Sequence, residues 1–493
     1  MTSKTAAEFT SRARAALTKT AALNPSVKLQ PHQADAVARS ATSSGMVLNW
    51  GLGSGKTLGS IAVAEAKGGN VLVVTPAALR ENFQGQLRDH VSPLRHGAYT
   101  VISYDEFRRD PEGWVARARP TTIIADEFHR LRNPGPREAF DKVRGKVKFM
   151  LGLTGSMINN RPEEIVPLVN LAAGKPVFES IEDFKRQHID EKQIPVSLWG
   201  RLSGVKPGVE ESLKNKAGLG AKLSPVVHRF SGNEAYQREL PTVSESVVTV
   251  PMSPGQEQMM KALSSKNPVL AYKLKNNLPP SKKDLKNMNS FMAAARQISN
   301  NPSLYTTKAM ESPKFKAMLD DIVSQSAGNK AFKTVIYSNF IESGVQPLID
   351  ELNRRKIPSA AFTGSLNDAQ RRQMVADFNA GRLRVLGLSP AGGEGLDLKG
   401  VRMVQLTEEH WNPERGNQAV GRSARFRSHA HLPEDERNVE VRRYMTAHNK
   451  SLVNKVFRTK PPMSPDQWID ERRREKSDLN KQFMSAVPEY GGG

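Results

Sequence analysis

The segment Gly51-Leu52-Gly53-Ser54-Gly55-Lys56-Thr57 restricts the folds open to this chain more than any other feature. It follows the apolar run Met46 to Trp50 and precedes a stretch with helical apolar spacing (Leu58, Ile61, Ala62, Ala66) that Gly68-Gly69 closes. Glycines in such a turn let backbone N–H groups wrap a phosphate, and the helix behind them turns its positive end to the anion. In that arrangement Lys56 reaches the β- and γ-phosphates and Thr57 holds Mg2+. The eight-residue form of the motif has glycine at position 50, where this chain has Trp50. Val71 to Val74, ended by Pro76, reads as the next buried strand, so a strand–helix–strand unit is expected here.

The same grammar continues. Further buried strands are expected at Thr122–Ala125 and Phe149–Leu153, and a second series at Thr334–Tyr337, Ser359–Phe362, Val385–Leu388 and Met403–Leu406. The predicted fold is α/β: two lobes of parallel sheet flanked by helices. Residues 29–240 form lobe 1 with an insertion at about 176–232, and 241–460 form lobe 2 with a helical insertion at about 255–310. Lys273, Lys275, Lys282, Lys283 and Lys286 mark that second insertion as basic. Residues 1–28, with Glu8 as the only acidic residue, read as a basic arm or first helix. Within 461–493, Ser464-Pro465-Asp466-Gln467 carries a capping box and predicts a helix to about Val487, with Arg472-Arg473-Arg474 on a solvated face.

Composition narrows the chemistry. The 493 residues include 72 Lys+Arg against 50 Asp+Glu, a net charge of +22 that suits a nucleic-acid partner, although acidic lipid or protein would attract it too. Cysteine is absent, which excludes disulfides, thiolate metal sites and a cysteine nucleophile and fits a reducing compartment. No apolar run approaches the roughly 18 residues of a membrane span, so no membrane partner is expected. The histidines lack metal-ligand spacing.

Asp126-Glu127 follows the strand Ile123-Ile124-Ala125, which puts two carboxylates at the C-terminal edge of a parallel sheet, where ligands of such sheets bind. One can hold Mg2+ and the other can orient or deprotonate an attacking water. Acidic pairs at strand ends also occur as solvated charge, so their weight comes from neighbouring motifs.

Those neighbours resemble the motifs of superfamily-two helicases, in their Swi/Snf-type branch. Asp126-Glu127-Phe128-His129-Arg130-Leu131-Arg132-Asn133 resembles motif II, and Leu153-Thr154-Gly155-Ser156 with Asn159-Asn160 resembles motif III. Ser389-Pro390-Ala391-Gly392-Gly393-Glu394-Gly395-Leu396-Asp397 is similar to motif V. Trp411-Asn412-Pro413 with Gln418-Ala419-Val420-Gly421-Arg422-Ser423-Ala424-Arg425 is similar to motif VI. Leu29-Gln30-Pro31-His32-Gln33 resembles the adenine-reading segment, and Val74-Thr75-Pro76-Ala77 and Ile102-Ser103-Tyr104 resemble motifs Ia and Ib. Arg296 to Pro302 and Tyr337-Ser338-Asn339-Phe340 are in the same style. Ser428-His429-Ala430-His431-Leu432-Pro433, Arg437-Asn438-Val439 and the helix from Ser464 look most like the nucleoside triphosphatase I of poxviruses and related large DNA viruses. Met157 stands where motif III usually has proline, and Glu394 replaces an apolar residue of motif V.

The resemblance implies two RecA-like lobes and a DNA-dependent ATPase that translocates on duplex DNA or remodels nucleoprotein, with ATP and Mg2+ as cofactors. A strand-separating DNA or RNA helicase and a catalytically silent nucleotide-binding protein are the rival readings. Lys56, Asp126, Glu127, Gln418, Arg422 and Arg425 are the implied catalytic set, with both arginines reaching the γ-phosphate as the lobes close. Gln33, Gly51, Gly53, Ser54, Gly55, Lys56, Thr57, Gly395 and Asp397 are the implied nucleotide contacts, with Thr57 and Asp126 on Mg2+. Thr75, Ser103, Tyr104, Thr363 and Gly364 are the implied nucleic-acid phosphate contacts, and each taken singly also suits a turn or cap. Trp411 is read as core packing or a stacking platform. The implied partners are duplex DNA and a nucleoprotein or polymerase complex. The implied state is a monomer, cytoplasmic or nucleoid-associated, or viral, in infected-cell cytoplasm or virion.

Overall fold

The computed structural model describes residues 22–51, 53–194, 208–232, 238–278, 285–306, 310–329, 331–390, 396–410, 412–449 and 462–490. These fall into two compact units, one within Met1–Asp190, Ser212–Gln237 and Leu479–Gly493, the other within Glu191–Glu211 and Arg238–Asp478. The strands are β1 (Gly45–Trp50), β2 (Asn70–Thr75), β3 (Tyr99–Ser103), β4 (Pro120–Ala125), β5 (Phe149–Thr154), β6 (Ile189–Ile194), β7 (Gly208–Leu213) and β8 (Val227–Phe230). They continue with β9 (Thr242–Pro251), β10 (Lys333–Tyr337), β11 (Ser359–Phe362), β12 (Val385–Leu388), β13 (Val401–Leu406) and β14 (Asn438–Ala447).

The first unit is built on a six-stranded sheet of order β3-β2-β4-β5-β1-β8, parallel at every pairing. Successive strand residues enter two separate apolar clusters. Val47, Leu72, Val74, Ile123 and Met150 pack into one, and Met46, Leu48, Val71, Val73, Ile124 and Leu151 into the other. Both faces are therefore covered, which is why these strands read as unbroken apolar runs. Helix α1 (Pro31–Ser40) and helix α2 (Lys56–Lys67) lie on the second of these clusters. The register of β1 with β5 pairs Asn49 with Thr154, and that of β2 with β4 pairs Val74 with Ala125. The residues that end these strands thus emerge together at one edge.

The second unit repeats the design with the order β11-β12-β10-β13-β14-β9, again all parallel. Around it lie α3 (Leu285–Asn300), α4 (Pro313–Gly328), α5 (Pro413–Ser423) and most of α6 (Pro465–Met484). Strands β6 and β7 form a separate two-stranded sheet.

Several sequence expectations need correction. The stretch 176–232 is not wholly an insertion, because β8 is an edge strand of the main sheet beside β1. β9 and β14 are strands that the apolar pattern did not reveal: β9 alternates at a largely exposed edge, and β14 carries Glu440, Arg442 and Arg443. In the basic helical insertion Lys273 is fully buried, while Lys282 and Lys283 lie outside the described residues. Of the N-terminal arm only 22–28 are described, and there Leu23 is buried and bridges to Val91. The capping box of α6 forms as expected: Ser464 N–H donates to Gln467 Oε1 at 3.0 Å and Gln467 N–H to Ser464 Oγ at 3.2 Å. Its arginine run is not a solvated face, because Arg472 is buried and Arg473 pairs with Asp470 at 2.8 Å and Glu409 at 3.1 Å.

Candidate active site

The turn after β1 has the backbone its glycines permit. Gly53 (φ 80°) and Gly55 (φ 74°) lie in the left-handed region, and a Cβ on Gly55 would fall 2.6 Å from Gln33 Nε2. Lys56 opens α2, and its Nζ donates to the carbonyl oxygens of Trp50 and Gly51, both at 2.9 Å. Ser54 Oγ donates to Gly51 O at 2.7 Å. Thr57, in the first helical turn, is partly exposed. Leu52 lies outside the described residues.

Trp50 explains the departure from the eight-residue motif. It is the last residue of β1, fully buried, with its Nε1–H donating to His228 Nδ1 at 2.8 Å and its ring edge-on to His32 at 4.7 Å. The turn therefore begins at Gly51, whose N–H donates to Phe230 O at 3.0 Å. Room for the indole comes from Gly59, where a Cβ would lie 2.5 Å from the Trp50 ring.

The adenine-reading segment begins α1. Gln33 Oε1 accepts from Gln30 N–H at 2.8 Å and Gln33 Nε2 donates to Gly55 O at 3.2 Å, so this side chain ties the helix start to the glycine turn. His32 Nε2 meets Ser54 O at 2.9 Å, and the His32 ring stacks on Phe230 at 3.7 Å.

At the end of β4, Asp126 Oδ2 accepts from Thr75 Oγ1 at 3.0 Å and Oδ1 from Glu127 N–H at 2.9 Å. Burial and then the Glu127 charge push the Asp126 carboxyl up to about 6, against the Thr75 hydroxyl, the Glu127 N–H and the Lys56 ammonium. Glu127 itself has φ 49°, a conformation costing an L-residue about 1 kcal/mol or more. His129 Nδ1 stands 3.3 Å from Glu127 Oε2 and 3.2 Å from Thr154 Oγ1, and burial pushes this imidazole down toward the neutral form. Thr154 in turn donates to Ser156 O at 2.7 Å. A Cβ on Gly155 would lie 4.0 Å from Lys56 Nζ, so the third motif abuts the lysine. Motifs II and III are thus coupled through His129, which the sequence reading quoted without giving it a role; its place two residues after Glu127 was the available signal.

The fit to a hard cation follows from the donor set. Thr57 offers a hydroxyl and Asp126 a carboxylate whose negative form is disfavoured by burial beside Glu127, a condition a divalent ion would relieve. Among the described residues no group of three or more His, Cys, Asp or Glu could hold a metal, which suits Mg2+ held mainly by phosphate oxygens and water.

Three expected nucleic-acid contacts turn inward instead. Thr75 is fully buried with its hydroxyl on Asp126, Ser103 Oγ caps a helix by accepting from Glu106 N–H at 3.2 Å, and Tyr104 OH donates to Asp126 O at 2.6 Å. Burial, reinforced by Asp126, holds the Tyr104 phenol well above its ordinary range. In the second unit Thr363 is buried with its hydroxyl 2.8 Å from Ser365 Oγ, whereas Gly364 is exposed.

On α5, Gln418 is partly buried and Arg422 buried; Arg425, just beyond the helix, pairs with Asp397 at 3.8 Å. Two residues expected at the nucleotide are therefore neighbours. Gly395, Glu394 and Trp411 lie outside the described residues. Ahead of α5, Glu408 is buried and accepts from Ser338 Oγ, Asn339 N–H and Asn300 Nδ2 at 2.9, 2.6 and 2.7 Å. Arg443 meets Glu409 at 2.7 Å. These acidic residues, which the sequence reading passed over, tie the strand ends to α3 and β14.

Comparison with known proteins gives a consistent picture. Residues 99–304 match the SNF2-related domain and residues 314–427 the helicase conserved C-terminal domain. A protein of Acanthamoeba polyphaga mimivirus, named as a candidate ATP-dependent RNA helicase, is 25% identical over 94% of this chain and 97% of its own length. A termination factor NPH-I homolog of African swine fever virus is 24% identical over 90% of this chain and 75% of its own. The Sulfolobus solfataricus SWI2/SNF2 ATPase core, solved with dsDNA, is 18% identical, covers 94% of this chain and 97% of its own, and aligns with a TM-score of 0.36. No helix among the described residues is long and apolar enough to cross a membrane. With both domains matched in order around the phosphate turn and the Asp126-Glu127 pair, the chain belongs to the Swi/Snf-type branch of helicase superfamily two and is an ATP hydrolase.

Proposed function

We propose that this ATPase is activated by nucleic acid and tracks along duplex DNA without separating its strands. The observation that carries the reading is one sheet edge that holds the Gly51–Thr57 turn, Lys56 and the buried Asp126 together, a site shaped for a nucleoside triphosphate. The +22 charge supplies attraction to a polyanion. The two viral relatives favour a viral setting, in virion or infected-cell cytoplasm.

In the proposed mechanism Lys56, now on the carbonyls of its own turn, swings to the β- and γ-phosphates, while Gln33 holds the base side of the turn. Thr57 and Asp126 hold Mg2+, which when bound neutralises phosphate charge. Glu127, aimed by its backbone and by His129, orients the attacking water and takes its proton. Gln418, Arg422 and Arg425, with Gly395 and Asp397, complete the γ-phosphate environment from the second unit, and the arginines stabilise the charge that develops there. Gly364 and Thr363 offer backbone and hydroxyl contacts to nucleic-acid phosphates without reading bases.

Displacement of a third strand from a triplex tests tracking against unwinding. The proposal expects ATP-dependent displacement with little opening of a forked duplex. Efficient opening of a long blunt-flanked DNA or RNA duplex overturns it in favour of a helicase, the activity in the name of the mimivirus relative.

A further inference from the structure

The segment after α6 returns to the nucleotide end of the first unit. Glu489 forms a parallel bridge with Arg229, and Tyr490 N–H donates to Arg229 O at 2.9 Å. Glu489 Oε1 accepts from Ser231 N–H at 2.7 Å and also from Ser231 Oγ, and its other oxygen lies 3.6 Å from Arg229. The residue between these two anchors is Phe230, whose carbonyl takes the Gly51 N–H and whose ring stacks on His32. Tyr490 closes the same cluster, its ring 5.9 Å from His228 and 6.4 Å from Phe230. His228 in turn accepts from Trp50 and meets Asp35 of α1 at 2.9 Å.

Each route from Glu489 and Tyr490 ends on the phosphate turn or the adenine-reading segment. β8 is only four residues long and sits at the sheet edge, paired on one side by β1. Its end therefore needs an outside support, and the Glu489 carboxylate supplies one by engaging both polar groups of Ser231. A displaced Phe230 would release Gly51 N–H and unstack His32, whose ring nitrogen meets Ser54 O in the same turn.

Resting on the ATPase reading above, we propose that Glu489 and Tyr490 are positioning residues of the nucleotide site, which set ATP affinity by fixing the end of β8 beneath the phosphate turn. Their action is on ground-state binding, because they touch neither the Asp126-Glu127 pair nor α5.

The test uses the full chain and a fluorescent ATP analogue, with steady-state turnover and thermal melting alongside. Glu489→Ala should weaken nucleotide binding and raise KM by about fivefold to tenfold, the scale of one or two lost hydrogen bonds, with kcat within about twofold. Glu489→Gln keeps an acceptor for Ser231 and should bind as the parent does, since a half-exposed ion pair with Arg229 contributes little. Tyr490→Ala should follow Glu489→Ala, and Tyr490→Phe should follow the parent. Parent-like nucleotide affinity in both alanine variants overturns the inference, as does a fall in melting temperature with affinity unchanged. A parent chain that binds no ATP analogue refutes the ATPase reading instead.

Discussion

Thr75 Oγ1 donates to Asp126 Oδ2 at 3.0 Å, so the carboxylate at the end of β4 is held by the neighbouring strand β2 as well as by the Glu127 N–H. A residue expected to face nucleic acid is thus part of the hydrolytic site. Thr75→Val keeps the buried shape and removes the donor, and should lower kcat about tenfold while stability falls by about 1 kcal/mol. Thr75→Ser should stay near the parent. Steady-state kinetics at saturating nucleic acid checks both; a Thr75→Val variant that weakens nucleic-acid binding but keeps kcat would restore the phosphate-contact reading.

Arg422 and Arg425 are assigned to the transition state. Replacing either by Ala should leave most ATP and DNA affinity and cut kcat by about a thousandfold. Glu127→Gln should bind ATP and fail to hydrolyse it. If the arginines serve only as local ion-pair partners, as the contact of Arg425 with Asp397 would then imply, their variants should lose melting temperature and keep kcat within a few-fold.

Gly59 sits inside α2, where alanine usually stabilises by about 1 kcal/mol. Here its Cβ would lie 2.5 Å from the buried Trp50 ring, so Gly59→Ala should instead destabilise by about 1 to 3 kcal/mol in denaturant melts. Adding Trp50→Phe should recover part of the loss. An additive double variant would show that the ring is not the obstacle.

Legibility in the sequence followed the range of the contacts involved. β1, β2, β4 and β5 were readable because strands covered on both faces need an apolar residue at every position, and the phosphate turn was readable because its logic spans seven residues. β8 was not, since Val227-His228-Arg229-Phe230 becomes a strand only when His228 finds Trp50 and Asp35, 178 and 193 residues away. β14 was hidden by Arg442 and Arg443, which Asp321 and Glu409 neutralise across the fold. In the site, Lys56 and Asp126 could be named from local pattern, whereas the bonds of Thr75 and Tyr104 to Asp126 span 51 and 22 residues and left no local trace.

His32 gives the first unit a pH dependence. Burial, aided by His228 and opposed by the bond to Ser54 O, holds its imidazole down to about 4 from 6.5. Between those values the unfolded chain binds a proton that the folded chain does not, so stability is full above about pH 6.5 and falls as pH drops through the window. His129 and His228 are shifted in the same direction. Urea melts at pH 7.5 and pH 5 should show the loss, and His32→Gln should show less of it. Equal losses in parent and variant would remove His32 from the account.

The central claim is that nucleic acid, and duplex DNA above all, switches on ATP hydrolysis at the Lys56–Asp126 site. Steady-state ATP turnover measured side by side with no nucleic acid, single-stranded DNA, duplex DNA and duplex RNA tests it most directly. The account predicts slow turnover alone and marked stimulation by duplex DNA that weakens as salt rises. Equal turnover in all four conditions, or stimulation by duplex RNA alone, would contradict it.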